Sequence, residues 1–193
     1  MPILTSAANL LAKLCLNLLK REYEEDYVRV IVLEDIGKIF VPEGVAELTR
    51  GTEYSLPRWI AQELVDKGVV ELKEGEIGLE RLAKIAYNEE STMRKPVFVK
   101  LYPYFYHLII DEVRKLYERL EAEKTPLILS DVQKYENYIS TIGKIRVRKL
   151  INLLLVEPPE DMFTKLSEEE KILYIMLKNI LAYWLKSLRI EKG

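Results

Sequence analysis

Cysteine and histidine each occur once, as Cys15 and His107, in a chain of 193 residues. A lone thiol closes no disulfide within the chain and builds no thiolate zinc cage. A lone imidazole excludes every site that needs two. The eight glycines are scattered at turns, and there is no Walker loop, no GxGxxG fingerprint and no DxDxD-type metal motif. An excess of one charge is lacking as well. Lys plus Arg number 29 and Asp plus Glu 31, a net charge of −2, so bulk positive charge is not available to hold nucleic acid. No apolar run reaches the roughly 20 residues of a spanning helix. The most lipid-like stretch, residues 1–19, is interrupted by Asn9, Lys13 and Asn17 and has no charged opening of the signal-peptide kind. Glutamine appears only at Gln62 and Gln133, beside many Lys, Glu, Ile, Leu and Tyr residues, a bias found in heat-adapted proteins. Together these gaps predict a soluble, cytoplasmic, non-enzymatic protein with no cofactor and no membrane segment.

What is present is enough for a core: 49% of residues are apolar and 31% charged, which excludes a disordered chain. The pattern predicts an α+β protein in which a small β-rich N-terminal domain is followed by an α-helical bundle. Thr5 or Ser6 caps a first helix reaching residue 25. Its polar positions Asn9, Lys13 and Asn17 form one thin stripe on an apolar cylinder, so it is buried either within its own subunit or against another. Residues 26–90 form the small domain. Strands are expected at 27–33, 38–41, 45–48 and 69–73, with the last turning at Glu74 and Gly75. A short helix capped by Ser55 carries Pro57 in its first turn and stops at Gly68. A further helix covers 79–87, and the polar stretch 88–95 reads as a linker. Residues 91–193 are then helical. One helix starts near Pro103. A second, boxed by Ser130 and Gln133, is stopped by Pro158 and Pro159. A third, boxed by Ser167 and Glu170, reaches about residue 190.

No catalytic group stands out. Cys15 falls on an apolar helix side and His107 in another segment, so both read as core or boundary residues. The acidic run 168–170 sits in a helix first turn, where the macrodipole accounts for it. Two other features rise above background. In the basic segment 144–149, Lys144 and Arg148 share one helix face while Arg146 and Lys149 share another. It reads as a solvated stripe, an ion-pair surface for a partner, or a weak, salt-sensitive contact to a DNA backbone. The aromatic run Tyr102, Tyr104, Phe105, Tyr106 and His107 points in too many directions for one core. Some of these rings must face a linker, the small domain or another chain.

The segment Gly51 to Asp66, with Leu56-Pro57-Arg58-Trp59-Ile60-Ala61 at its centre, resembles the signature of GINS complex subunits: a short strand, then Leu-Pro-x-Trp-aliphatic-Ala opening a helix. Leu101-Tyr102-Pro103-Tyr104-Phe105-Tyr106 is similar to the entry into the family's helical domain. Residues 131–155, with Arg146 and Lys149, resemble its long central helix. The domain order is that of the small-domain-first class. The resemblance covers residues 27–190, and the first helix has no counterpart in it. It implies a scaffold, two copies of which assemble with two copies of a helical-domain-first paralogue and join the MCM helicase to a RecJ-like protein, with direct DNA contact weak or absent. Trp59, with Leu56 and Pro57, is expected to anchor the small-domain core, so that Trp59→Ala costs about 3–5 kcal/mol. Tyr102, Tyr104, Tyr106, Tyr183, Trp184, Arg146 and Lys149 are expected at the subunit interface. The last helix carries more apolar residues than one stripe can hide, which predicts an obligate hetero-oligomer. The competing reading is a winged-helix DNA-binding regulator, in which residues 64–82 are the end of a helix and a β-wing.

Overall fold

The computed structural model describes residues 2–73 and 77–190. The fold is α+β, with small sheets in the N-terminal part and helices after them. The chain divides into two compact units, Met1–Glu76 and Ile77–Gly193.

In the first unit, α1 (Pro2–Glu25) leads into β1 (Tyr27–Val32), β2 (Gly37–Val41), β3 (Gly44–Leu48), β4 (Glu53–Pro57), α2 (Arg58–Asp66) and β5 (Val70–Leu72). β1 is the centre of an antiparallel three-stranded sheet, flanked by β4 and β5, and β2 and β3 form a separate hairpin. β1 takes the middle because its β-branched residues alternate: Val28, Val30 and Val32 all point inward. They meet Leu48, Leu56 and Val70 from the strands and Ile60, Ala61 and Leu64 from α2.

Several expected boundaries move. α1 begins at Pro2, so Thr5 and Ser6 lie inside it rather than ahead of it. Ser55 does not cap a helix; it belongs to β4, and Pro57 is the N-cap residue with extended backbone (ψ 138°). Within residues 64–82, β5 pairs antiparallel with β1 and α3 begins at Leu79. The turn expected at Glu74 and Gly75 lies outside the described residues.

The expectation for Trp59 is corrected. Its side chain is 52% exposed. α2 turns Ile60, Ala61 and Leu64 inward, and Trp59 sits about 100° around the helix from Ile60. Leu56 and Pro57 are buried as expected, and the anchor of this helix is aliphatic.

The second unit holds α3 (Leu79–Ser91), α4 (Phe105–Glu123), α5 (Pro126–Asn152), the short α6 (Met162–Lys165) and α7 (Glu168–Ser187). α3 packs on α5 through Leu82, Ile85 and Ala86, so the division falls at residue 76 and not at residue 90. The linker expected over 88–95 begins inside α3. α5 starts at Pro126, where a missing N–H costs nothing, and Ser130 lies within it. It ends at Asn152, ahead of the two prolines. The capping box at Ser167 and Glu170 forms as read.

Candidate functional site

The interior of the helical unit is where the basic segment of α5 goes. Arg146 is 0% exposed and Lys149 is also buried, so neither can lie on a subunit interface, and that expectation is corrected. The two-face reading of the segment holds, but the Arg146–Lys149 face points inward.

Arg146 uses all five of its donors. Nε and one Nη2 hydrogen grip Glu170 in bidentate fashion, at 2.6 and 2.7 Å to Oε1 and Oε2. Nη1 donates to Glu89 Oε1 (2.6 Å) and the Val99 carbonyl (2.9 Å), and Nη2 also donates to the Lys165 carbonyl (3.1 Å). Lys149 spends its three donors on Glu89 Oε2 (2.6 Å), Thr92 Oγ1 (3.0 Å) and the Val97 carbonyl (2.7 Å). Val99 N–H and Tyr106 Oη–H donate to the same two carboxylates. Two cations therefore face two anions with every cation donor engaged. Both cations also lie against the buried Phe98 ring, 5.1 and 5.7 Å from its centroid. Burial opposes the Arg146 charge, but Glu170 and Glu89 outweigh it and hold the guanidinium above its ordinary value. Burial, reinforced by the Glu170 charge, pushes the Tyr106 phenol well up, so it stays a neutral donor. The network ties α5 to α3, to α7 and to the connection between α3 and α4.

The aromatic run is divided between roles. Phe105 is in the core. Tyr102 is half-buried beneath the Arg81 guanidinium, 4.3 Å from the ring centroid. Tyr104, also half-buried, takes a left-handed backbone (φ 53°) that a bulky residue rarely adopts, and so turns the chain into α4. Tyr106 is tied to Glu170. His107 is half-buried and its Nδ1 lies 2.7 Å from Glu169 Oε1, which also accepts from the His107 main chain. Glu169 Oε2 is enclosed without a hydrogen-bond partner among the described residues. The acidic run 168–170 does occupy the first turn of α7, and within it Glu170 is buried and Glu169 nearly so.

The exposed apolar surface lies on α7. Tyr183 is 77% exposed and Trp184 55%, and Ile180 and Leu188 are open beside them. Leu181, Ala182 and Leu185 form one wall of a groove of about 280 Å³ whose other wall is Leu154, Leu155 and Val156. Trp and Tyr are the residues most enriched among interface hot spots. In the first unit, Leu10, Leu11, Leu14, Leu16 and Leu18 of α1 are exposed too, and among its described side chains only Leu19 and Tyr23 are buried. Arg58 holds that end, stacking on the Tyr23 ring at 4.4 Å and reaching Asp26 at 3.3 Å.

The pairing of Glu89 and Glu170 with the α5 cations is not read from the sequence. Glu89 sat in an apparent linker, and Glu170 was accounted for by its capping box. The missed signal was that α3 continues its apolar period through Ile85 and Ala86, which places Glu89 on the inward side. Among the described residues no helix is long and apolar enough to cross a membrane, and no cluster of three metal-ligating side chains occurs. No protein-family model matches the chain, and no curated protein matches it.

Proposed function

We propose that this chain is a non-enzymatic scaffold subunit of the GINS type, cytoplasmic, which acts by binding other proteins through its helical unit. The observation that carries the reading is the outward face of α7 and its C-cap, where Ile180, Tyr183, Trp184 and Leu188 stand open. A contiguous aromatic and aliphatic face of this kind is costly to leave in water and marks a protein contact. The Leu56-Pro57-x-Trp59 resemblance and the order of the two units direct that contact to a helical-domain-first paralogue, two copies with two copies of this chain. The MCM helicase and a RecJ-like protein are the further partners of the assembly. DNA contact is weak or absent in this reading, since the α5 cations Arg146 and Lys149 are spent internally.

Co-expression with the paralogue, followed by light scattering on a sizing column, tests it. The expected result is a salt-resistant complex with two copies of each chain. Trp184→Ala should weaken that complex by about 2 kcal/mol or more while its thermal unfolding moves little, because the ring is exposed. A well-behaved monomer at micromolar concentration, indifferent to the paralogue, overturns the proposal.

A further inference from the structure

The outer face of α5 carries a second surface, chemically unlike that of α7. Lys144, Val147, Arg148 and Ile151 follow the i, i+3, i+4, i+7 spacing of one helix stripe, and all four are exposed. They line an open groove of about 560 Å³. Asn152 belongs both to this groove and to a second one of about 240 Å³, which Arg94 and Lys95 border in the turn after α3. Arg148 Nη1 lies 3.9 Å from Met93 Sδ and joins the two.

Four cations thus surround an apolar strip. Among the described residues none of Lys144, Arg148, Arg94 and Lys95 is within ion-pair distance of a carboxylate. By contrast Arg114 and Lys115 on α4 and Lys134 on α5 each pair with an acid three residues away. In a chain with more acids than bases, an uncompensated basic patch needs a reason. Like charges four apart, as at Lys144 and Arg148, slightly destabilise the helix that carries them.

We propose that this face docks an acidic amphipathic segment of a partner protein, its apolar side chains on Val147 and Ile151 and its carboxylates toward the four cations. Charge complementarity selects the occupant. A phosphate backbone satisfies the cations but leaves the strip between them in water, whereas an acidic helix covers both. The inference does not depend on the GINS reading, since it concerns a different face and needs no paralogue.

The test is fluorescence anisotropy on the full chain with three labelled probes. These are a synthetic helical peptide with leucines at i, i+3, i+4 and i+7 flanked by glutamates, the same peptide with every glutamate replaced by glutamine, and a DNA oligonucleotide. The acidic peptide should bind, and the glutamine peptide and the oligonucleotide should bind about tenfold more weakly or worse. Lys144→Glu and Arg148→Glu should each weaken the acidic peptide several-fold, and Ile151→Ser should do the same, while Trp184→Ala leaves it unchanged. If Arg148→Glu fails to fold, Lys144→Glu and Arg94→Glu probe the same face. The proposal is overturned by no binding of the acidic peptide, by equal binding of the glutamine peptide, by indifference to the charge reversals, or by tighter binding of the oligonucleotide.

Discussion

The two units bury different chemistry. The main core cluster of the first is built of buried aliphatic residues, from Val28, Val30 and Val32 to Ile60, Ala61 and Leu64, and no ionised side chain among its described residues is buried. The second encloses Glu89, Arg146, Lys149 and Glu170. The difference follows from what each must hold in place. A sheet satisfies its own backbone groups through its ladder, so the first unit needs only an aliphatic wall against α2. The second unit has an irregular connection between α3 and α4 whose carbonyls at Val97 and Val99 have no ladder to join. Backbone carbonyls taken out of water require donors. Arg146 and Lys149 supply them, and Glu89 and Glu170 neutralise the charge that comes with the donors.

The contrast is broken most directly at Arg146. Arg146→Ala should destabilise the helical unit by about 3–5 kcal/mol, because it leaves the buried Glu170 without its cation, leaves Glu89 with Lys149 alone, and takes the guanidinium donors from the Val99 and Lys165 carbonyls. Urea unfolding followed by circular dichroism measures it. A loss below about 1 kcal/mol would mean that water takes over the guanidinium's role, and the seam would then not be what orders the connection.

The matching change in the first unit is Leu56→Ala. Leu56 is fully buried where β4 passes into α2, and its truncation should cost about 2–5 kcal/mol through lost transfer energy and the cavity left behind. Raising the salt concentration should leave this loss unchanged, since no charge is involved. A strong salt dependence would erase the distinction between the two cores.

How much of this was legible depends on the range of the interaction. The strands read at 27–33, 38–41 and 45–48 announce themselves by alternation and turn residues, and the box at Ser167 and Glu170 by its three-residue spacing, although the same spacing at Ser130 and Gln133 lies inside α5. These are local signals. Whether Trp59 or Ile60 faces the sheet is decided by about 100° of helix rotation, and that depends on how α2 docks. The pairing of Arg146 with Glu89, 57 residues earlier, is longer in range still. Hydrophobic periodicity marks which side of α5 is inward. It gives no hint that two cations on that side are matched by acids from α3 and α7. The face of α7 was legible for the opposite reason: its surplus of apolar residues is countable along the chain, and Tyr183 and Trp184 do point outward.

A smaller effect sharpens the comparison through pH. Burial pushes the Glu169 carboxyl up, but the hydrogen bonds from the His107 ring and main chain outweigh it and leave the group below its ordinary value of 4.5. A carboxylate depressed in this way stabilises the folded state above 4.5, and the contribution is lost as pH falls through the lower folded value. Glu169→Gln should therefore cost about 1.5–3 kcal/mol at neutral pH. The cost should disappear in acid, where the wild-type group is protonated as well. Chemical denaturation across the acid range checks it, and a cost that persists unchanged at low pH would assign Glu169 a purely steric role.

The smallest expected effect is at Trp59, and it decides which side of α2 holds the first unit together. A tryptophan fully enclosed in the core would cost about 3–5 kcal/mol on truncation to alanine. Here half of the ring is in water, and the helix is already fixed by Ile60, Ala61 and Leu64 on its inner side and by Arg58 against Tyr23 and Asp26. Only the covered half of the ring contributes, so Trp59→Ala should cost about 1 kcal/mol, less than Leu56→Ala in the same unit. Urea unfolding of the two variants side by side makes the measurement. If Trp59→Ala proves as damaging as Leu56→Ala, the aromatic ring and not the aliphatic wall carries α2. Should it be nearly silent, the exposed ring at 59 is free to serve as a contact, as Tyr183 and Trp184 do in the proposed assembly.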